Sequence, residues 1–371
     1  MNATVQSRAA LFLRDRLSVF DPVLMAIVGA LAMIGALTLY SAGADFPWRF
    51  TDQMRNLAIA AGVMFVFASI PPTVLMKFAL PAYAAGVTLL IGVELFGTTV
   101  KGAQRWLNLG VITIQPSETM RLALPMMLAW YFHKRESSIR TLDFVVAAAL
   151  VAVPVVLIIH QPDLGTALMV LAAGAFVIFF AGLPWKWLIT MVAGAIAFLP
   201  IAWTLMHDYQ RQRVLTLIDP STDPLGKGFH TLQAMIAIGS GGLFGKGWME
   251  GTQTHLEFIP ERTSDFIFAV FSEEFGLVGN VVLLALFFAL VLRALTIALG
   301  AATLFGRLMA GAIALIMFTY CFVNMGMVSG ILPVVGVPLP FISYGGTALV
   351  TLGMACGMLM SIHRHRKLVQ T

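Results

Sequence analysis

Ten apolar runs, most close to twenty residues long and separated by short charged breaks, dominate this chain. They lie at about 21–42, 54–71, 77–96, 117–133, 142–160, 163–182, 186–206, 265–292, 307–330 and 343–362. About 20 apolar residues in α-helical form cross the roughly 30 Å hydrocarbon core of a bilayer. Of the 371 residues 59% are hydrophobic and 11% charged, against about 45–50% and about 25% in soluble domains. The expectation is an all-α integral membrane protein with ten transmembrane helices. It forms one polytopic domain over 1–371, with a long extracytoplasmic loop, 207–264, between spans 7 and 8. The run from Val23 to Tyr40 exceeds a signal h-region of about 7–15 residues and is assigned as a retained first span. Cys321 and Cys356 both fall in apolar runs, which excludes a disulfide framework and a cysteine metal site.

Ten spans put both termini on one side, and the basic residues choose it. Arg8, Arg14, Arg16, Lys77, Lys134, Arg135, Arg140, Lys186, Arg293, Arg307, Arg364, Arg366 and Lys367 share the terminal side. The short loops opposite carry Arg49, Arg55, Lys101, Arg105 and, at a helix start, Arg121. The positive-inside bias then places both termini in the cytoplasm. The net charge of +5 is accordingly topogenic, and no nucleic-acid partner is expected. Apart from Asp15, Asp21, Glu136 and Asp143, the acids fall outside or at outer helix ends. Carboxylates are costly in hydrocarbon unless paired or wet, so the chemistry is expected at the outer face.

Several polar clusters converge there. Lys101-Gly-Ala-Gln-Arg-Trp106 offers two cations, and Lys and Arg both hold phosphate; an amphipathic loop with an interfacial Trp is the alternative. Gln115-Pro-Ser-Glu-Thr-Met-Arg121 and Gln161-Pro-Asp-Leu-Gly-Thr166 each open a span with residues that also serve as helix caps. Glu118 and Arg121, three apart, share a helix face and can pair, as structural glue or as part of a site. Asp208-Tyr-Gln-Arg-Gln-Arg213 is basic and aromatic, a contact for a lipid headgroup or diphosphate. Gly239-Ser-Gly-Gly-Leu-Phe-Gly-Lys-Gly247 resembles an anion-cradling backbone nest, with a re-entrant turn as the alternative. Asp265 stands where a charged loop becomes an apolar run, as a helix N-cap or as a catalytic carboxylate. Pro333, Pro338 and Pro340, with several Gly, break the end of the ninth span into a hairpin expected to line a cavity.

These residues together resemble the SEDS family of bacterial membrane proteins. The resemblance rests on Asp208-Tyr-Gln-Arg-Gln-Arg213, Gly239-Ser-Gly-Gly242, Pro260-Glu-Arg-Thr-Ser-Asp-Phe-Ile-Phe268, Gly330-Ile-Leu-Pro-Val-Val-Gly-Val-Pro-Leu-Pro340 and Ser343-Tyr-Gly-Gly346. It spans nearly the whole chain and lies on the elongation rather than the division branch. It implies a peptidoglycan glycosyltransferase that polymerises lipid II, a disaccharide-pentapeptide on undecaprenyl diphosphate, during rod-shaped growth. It also implies a class B penicillin-binding transpeptidase as partner, and that catalysis depends on Asp265. The candidate substrate-binding positions are Lys101, Arg105, Glu118, Arg121, Arg211, Arg213, Gln233, Ser240, Lys246, Glu261, Arg262 and Ser343. The chain departs from the family pattern twice: Arg121 replaces the usual Lys, and Ala234 follows Gln233 where Ser is common.

The expected reaction joins an acceptor sugar hydroxyl to the donor's anomeric carbon, with Asp265 as base. Lys101, Arg105, Arg211, Arg213 and Arg262 would hold the diphosphates. A divalent cation, Mg2+ or Mn2+, suits a diphosphate substrate; its ligands are not identified by sequence, and Asp265 could bind it instead of acting as base. No organic cofactor is expected. A lipid II flippase and a catalytically silent scaffold are the alternatives.

Overall fold

The computed structural model describes residues 19–100, 103–108, 113–161, 163–206, 211, 214, 215, 217, 227–256, 259 and 261–366. Helices account for most of it. In chain order these are α1 (Pro22–Ala42), α2 (Pro47–Ser69), the short α3 (Pro72–Lys77) and α4 (Ala79–Phe96). Next come α5 (Pro116–Lys134), α6 (Thr141–His160), α7 (Leu164–Phe180) and α8 (Trp185–Leu205). They are followed by α9 (Lys227–Ser240), α10 (Thr252–His255), α11 (Ile267–Leu299), α12 (Leu304–Val328) and α13 (Gly346–Arg364). Among the described helices, α1, α4, α6, α8, α11, α12 and α13 are long and apolar enough to cross a membrane. With α2, α5 and the 17-residue α7 they coincide with the ten expected spans.

The start of α2 and the link between α4 and α5 differ from expectation for physical reasons, and α11 runs on to Leu299 rather than ending near 292. α2 begins at Pro47 rather than near 54; its first turns carry Trp48, Arg49, Asp52 and Arg55, which broke the apolar pattern. Between α4 and α5 the chain also builds a small antiparallel sheet in the order β1 (Thr98–Val100), β2 (Ala103–Asn108), β3 (Thr113–Ile114). Its pairs include Thr98 with Trp106 and Leu107 with Ile114.

α5 is the hub. It touches α4, α6, α7, α12 and α13, and nearly all its residues are buried. A helix enclosed on all sides can carry an ion pair that a lipid-facing helix could not. At the other extreme, none of the membrane-length window of α8 is buried.

α1 and α11 lie together and are tied at both ends. At one end Asp21, whose carboxylate caps α1 by accepting from Val23 N at 3.1 Å, binds the Arg293 guanidinium at 2.7 and 2.8 Å. At the other end Ser41 Oγ donates to Glu274 Oε1. α11 is bent at Gly276, where φ is +64°.

Candidate active site

Asp265 is half-buried in the turn Glu261–Phe266 that feeds α11. The turn closes on the Glu261 carbonyl, which accepts from Ser264 N at 3.0 Å and Phe266 N at 3.3 Å. The N-cap of α11 is Phe266, without a side-chain cap bond, so capping does not account for Asp265.

Three segments hold this turn. From the α1–α2 corner, Arg49 Nη1 in the first turn of α2 donates to Thr263 Oγ1 at 2.7 Å. Arg262 reaches back to the Ala42 carbonyl at 2.8 Å and pairs with Asp45. From the proline-broken segment after α12, Tyr344 N donates to Thr263 O at 2.9 Å. Ser343 Oγ donates to Ser264 O and accepts from Leu339 N, each at 2.7 Å. From α12 itself, the fully buried Asn324 gives both amide hydrogens away, to Asp265 O at 2.9 Å and Val337 O at 2.7 Å.

Asn324 therefore stitches the catalytic candidate to the segment facing it. There Gly336 adopts φ +74°, and a Cβ at that position would stand 3.2 Å from Asp265 Oδ2. Only glycine suits both the backbone conformation and that proximity. Burial raises the pKa of the nearby Tyr344, and the Asp52 carboxylate raises it further.

A second polar group lies within the bundle. Arg121, on α5, ion-pairs with Glu118 at 2.8 Å, contacts the Tyr320 hydroxyl on α12, and reaches Thr166 on α7 at 3.4 Å. Thr166 donates its hydroxyl to Asp163 Oδ2 at 2.8 Å, and Asp163 also caps α7. Arg105 on β2 approaches the same carboxylate at 3.4 Å. Arg121 reaches its three partners from two separate nitrogens of its planar fork, a spread that the single ammonium nitrogen of a lysine does not have. The chain thus runs from the small sheet into the bundle, one helical turn of α12 from Asn324. Glu118, Arg121 and Arg105 belong to one network.

The glycine-rich segment corrects the anion-nest reading. Three of its amides are given to protein carbonyls: Gly245 N to Gly241 O at 2.8 Å, Lys246 N to Glu273 O at 3.0 Å and Gly247 N to Glu274 O at 3.1 Å. The kink at Gly276 receives it, with Leu277 N and Val278 N bound to the carbonyls of Gly242 and Leu243. Lys246 Nζ is 2.7 Å from Glu273 Oε1, whose carboxylate also accepts from Thr252, Gln253 and Thr254. The turn reading is the one that fits.

Of the remaining candidates, Arg211 binds the Trp203 and Thr204 carbonyls that end α8, at 3.0 and 2.7 Å. Gln233 lies half-buried on α9, Ser240 donates to Ala237 O at 2.9 Å, and Glu261 accepts from Ser264 Oγ at 3.0 Å. Arg262 and Ser343 are buried and serve the Asp265 turn. Lys101 and Arg213 lie outside the described residues. Arg49 and Asn324, which join the site, had no place among the candidates. Asn324 could have been found as a lone amide in an otherwise apolar run.

Among the described residues no group of three His, Cys, Asp or Glu side chains could hold a metal ion. The residues described do not make a protein-held metal centre.

The family model described as a cell cycle protein (FtsW, RodA, SpoVE) matches residues 17–368. The chain belongs to that family. It is 49% identical to the peptidoglycan glycosyltransferase MrdB of Escherichia coli K12, over 94% of this chain and 95% of that protein. A chain from a study of how a peptidoglycan synthase complex coordinates polymerization and crosslinking superposes with a TM-score of 0.82 at 33% identity, covering 94% and 99% of the two chains. The rod shape determining protein RodA of Thermus thermophilus superposes with a TM-score of 0.72 at 31% identity, covering 94% and 97%. The family is the SEDS family that the sequence motifs resemble, and its members share this multi-pass helical fold.

Proposed function

We propose that this chain is a peptidoglycan glycosyltransferase that polymerises lipid II, with Asp265 as the general base. The activity follows from family membership and from the likeness to MrdB. The observation that carries the residue assignment is the setting of Asp265. It is a half-buried carboxylate that caps no helix, in a turn held by Arg49, Asn324 and Ser343.

Extension begins when Asp265 takes the proton from the acceptor sugar hydroxyl. The hydroxyl oxygen bonds to the donor's anomeric carbon as the bond from that carbon to the lipid diphosphate breaks, inverting the centre. The cations expected to offset the charge on the departing diphosphate are Arg105 and, outside the described residues, Lys101 and Arg213. Arg49, bonded two residues from Asp265, joins them. Arg262 and Lys246 act indirectly, through the folding of the turn and the loop. A divalent cation would arrive with the diphosphate, and its coordination by Asp265 is the competing role for that residue.

From the distribution of basic residues we infer that the protein sits in the inner membrane with its termini in the cytoplasm and Asp265 at the outer face. Loop 207–264 is then periplasmic. A class B penicillin-binding transpeptidase is the proposed partner, in keeping with the complex that the chain resembles.

The decisive experiment uses Asp265→Asn purified in detergent with partner and lipid II. The variant should insert and bind its partner but build no glycan. Normal polymer length and rate would end the assignment. Because detergent has no leaflets to cross, polymerisation by the unsubstituted protein there also excludes a flippase as the sole activity.

A further inference from the structure

The segment Gly239–Met249 displays apolar side chains where a periplasmic loop would display polar ones. Leu243 is 62% exposed and Phe244 80% exposed, with Trp248 also exposed beside them. Its depth can be measured from α1 and α11. At 1.5 Å per residue, Asp21 to Ser41 along α1 spans about 30 Å, and Arg293 to Leu277, the part of α11 on one side of its bend at Gly276, about 24 Å. The Asp21–Arg293 and Ser41–Glu274 ties thus stand one hydrocarbon thickness apart.

Two independent contacts locate the segment on this scale. Leu243 O accepts from Val278 N at 3.0 Å. Trp248 Nε1 donates to Leu37 O at 3.1 Å, and its ring stacks on Tyr40. Val278 and Leu37 both lie about 23 Å above the Asp21–Arg293 tie, hence about 6 Å short of the other boundary.

We infer that Gly239–Met249 is a re-entrant wedge that inserts Leu243 and Phe244 into the hydrocarbon of the outer leaflet. Irregular backbone survives at such depth only when its polar groups are satisfied. Here the amides of Gly245, Lys246 and Gly247 and the carbonyls of Gly242 and Leu243 are all bonded to protein. Lys246 bends to Glu273 and Thr252, back toward the polar boundary. The exposed Leu277, Val278 and Val281 of α11 continue the same apolar surface. Trp248 and Tyr40 form a stacked aromatic pair where an interfacial belt would sit. The occupant is lipid, since the surface merges with the lipid-facing side of a transmembrane helix.

The test places a cysteine at Phe244 in a chain with Cys321→Ala and Cys356→Ala, labels it with bimane, and reconstitutes the protein without its partner in phosphatidylglycerol–phosphatidylethanolamine vesicles. Leu284→Cys on α11 serves as the hydrocarbon reference and Ser264→Cys as the aqueous one; Leu243→Cys repeats the measurement if the first variant folds poorly. The expected result is blue-shifted emission, quenched several-fold more by acyl-chain spin labels than by iodide, as at position 284. Emission and iodide quenching like those at position 264 would overturn the inference. So would protection from both quenchers, because the segment would then be covered by protein.

Discussion

Replacing Asn324 with Leu tests how far the backbone of Asp265 must be fixed for catalysis. The amide gives two hydrogen bonds, to Asp265 O and Val337 O, each contributing about 1 kcal/mol net. Loss of both costs about 2 kcal/mol, and leaving the carbonyls unsatisfied pushes the cost toward about 4 kcal/mol. At about 1.4 kcal/mol per decade, a turn that must be re-formed in each transition state slows by about 30-fold or more. Because Asn324 holds protein rather than substrate, kcat should fall while KM for lipid II stays unchanged. Asn324→Asp keeps the shape but puts an oxygen in place of the nitrogen that faced both carbonyls, so it should do no better than Leu. The assay is polymerisation of purified lipid II with the partner present. A kcat within twofold of the unsubstituted protein for either variant would refute the reasoning, as would Asp rescuing what Leu loses.

Gly336→Ala should lower kcat, since the added methyl group meets Asp265 Oδ2, and should lower stability by about 1–2 kcal/mol through its left-handed backbone; steady-state kinetics and melting in detergent check both halves. Arg121→Lys should lose the reach to Tyr320 or Thr166 and lower the melting temperature by the equivalent of about 1–2 kcal/mol, measured by detergent thermal shift. Gly245→Ala should fail to accumulate, because its Cβ would lie 2.0 Å from Glu274 O. Exposed Ser240→Ala is the matched control, and membrane yield is the readout.

The helical layout was legible because lipid imposes one rule on every span. Thus α1, α4 and α6 begin and end within a few residues of the apolar runs. Legibility failed where another rule took over. The first turns of α2 face the polar site, so Arg49 and Asp52 interrupt the pattern a membrane helix should show. α9 sits inside what sequence alone described as a loop, for its apolar residues pack on α11 rather than crossing the membrane. Asp265 could be named from its place at a polarity boundary. Ser343 was named too, but that Ser343, Asn324 and Gly336 converge on Asp265 could not be read, because they are distant from it in sequence and meet it only through the fold. The same holds for Lys246: glycines and a cation suggest an anion site, whereas the buried Glu273 that claims the cation lies 27 residues away.

Pinning α1 to α11 at both ends, through Asp21 with Arg293 and Ser41 with Glu274, denies this pair the freedom to slide. Faced with a thinner or thicker bilayer, two such helices cannot alter their stagger and must lean as a unit. Tilt of that rigid pair would carry the Asp265 turn with it. Acyl-chain length in the surrounding membrane thereby becomes a mechanical input to the height at which sugars are joined.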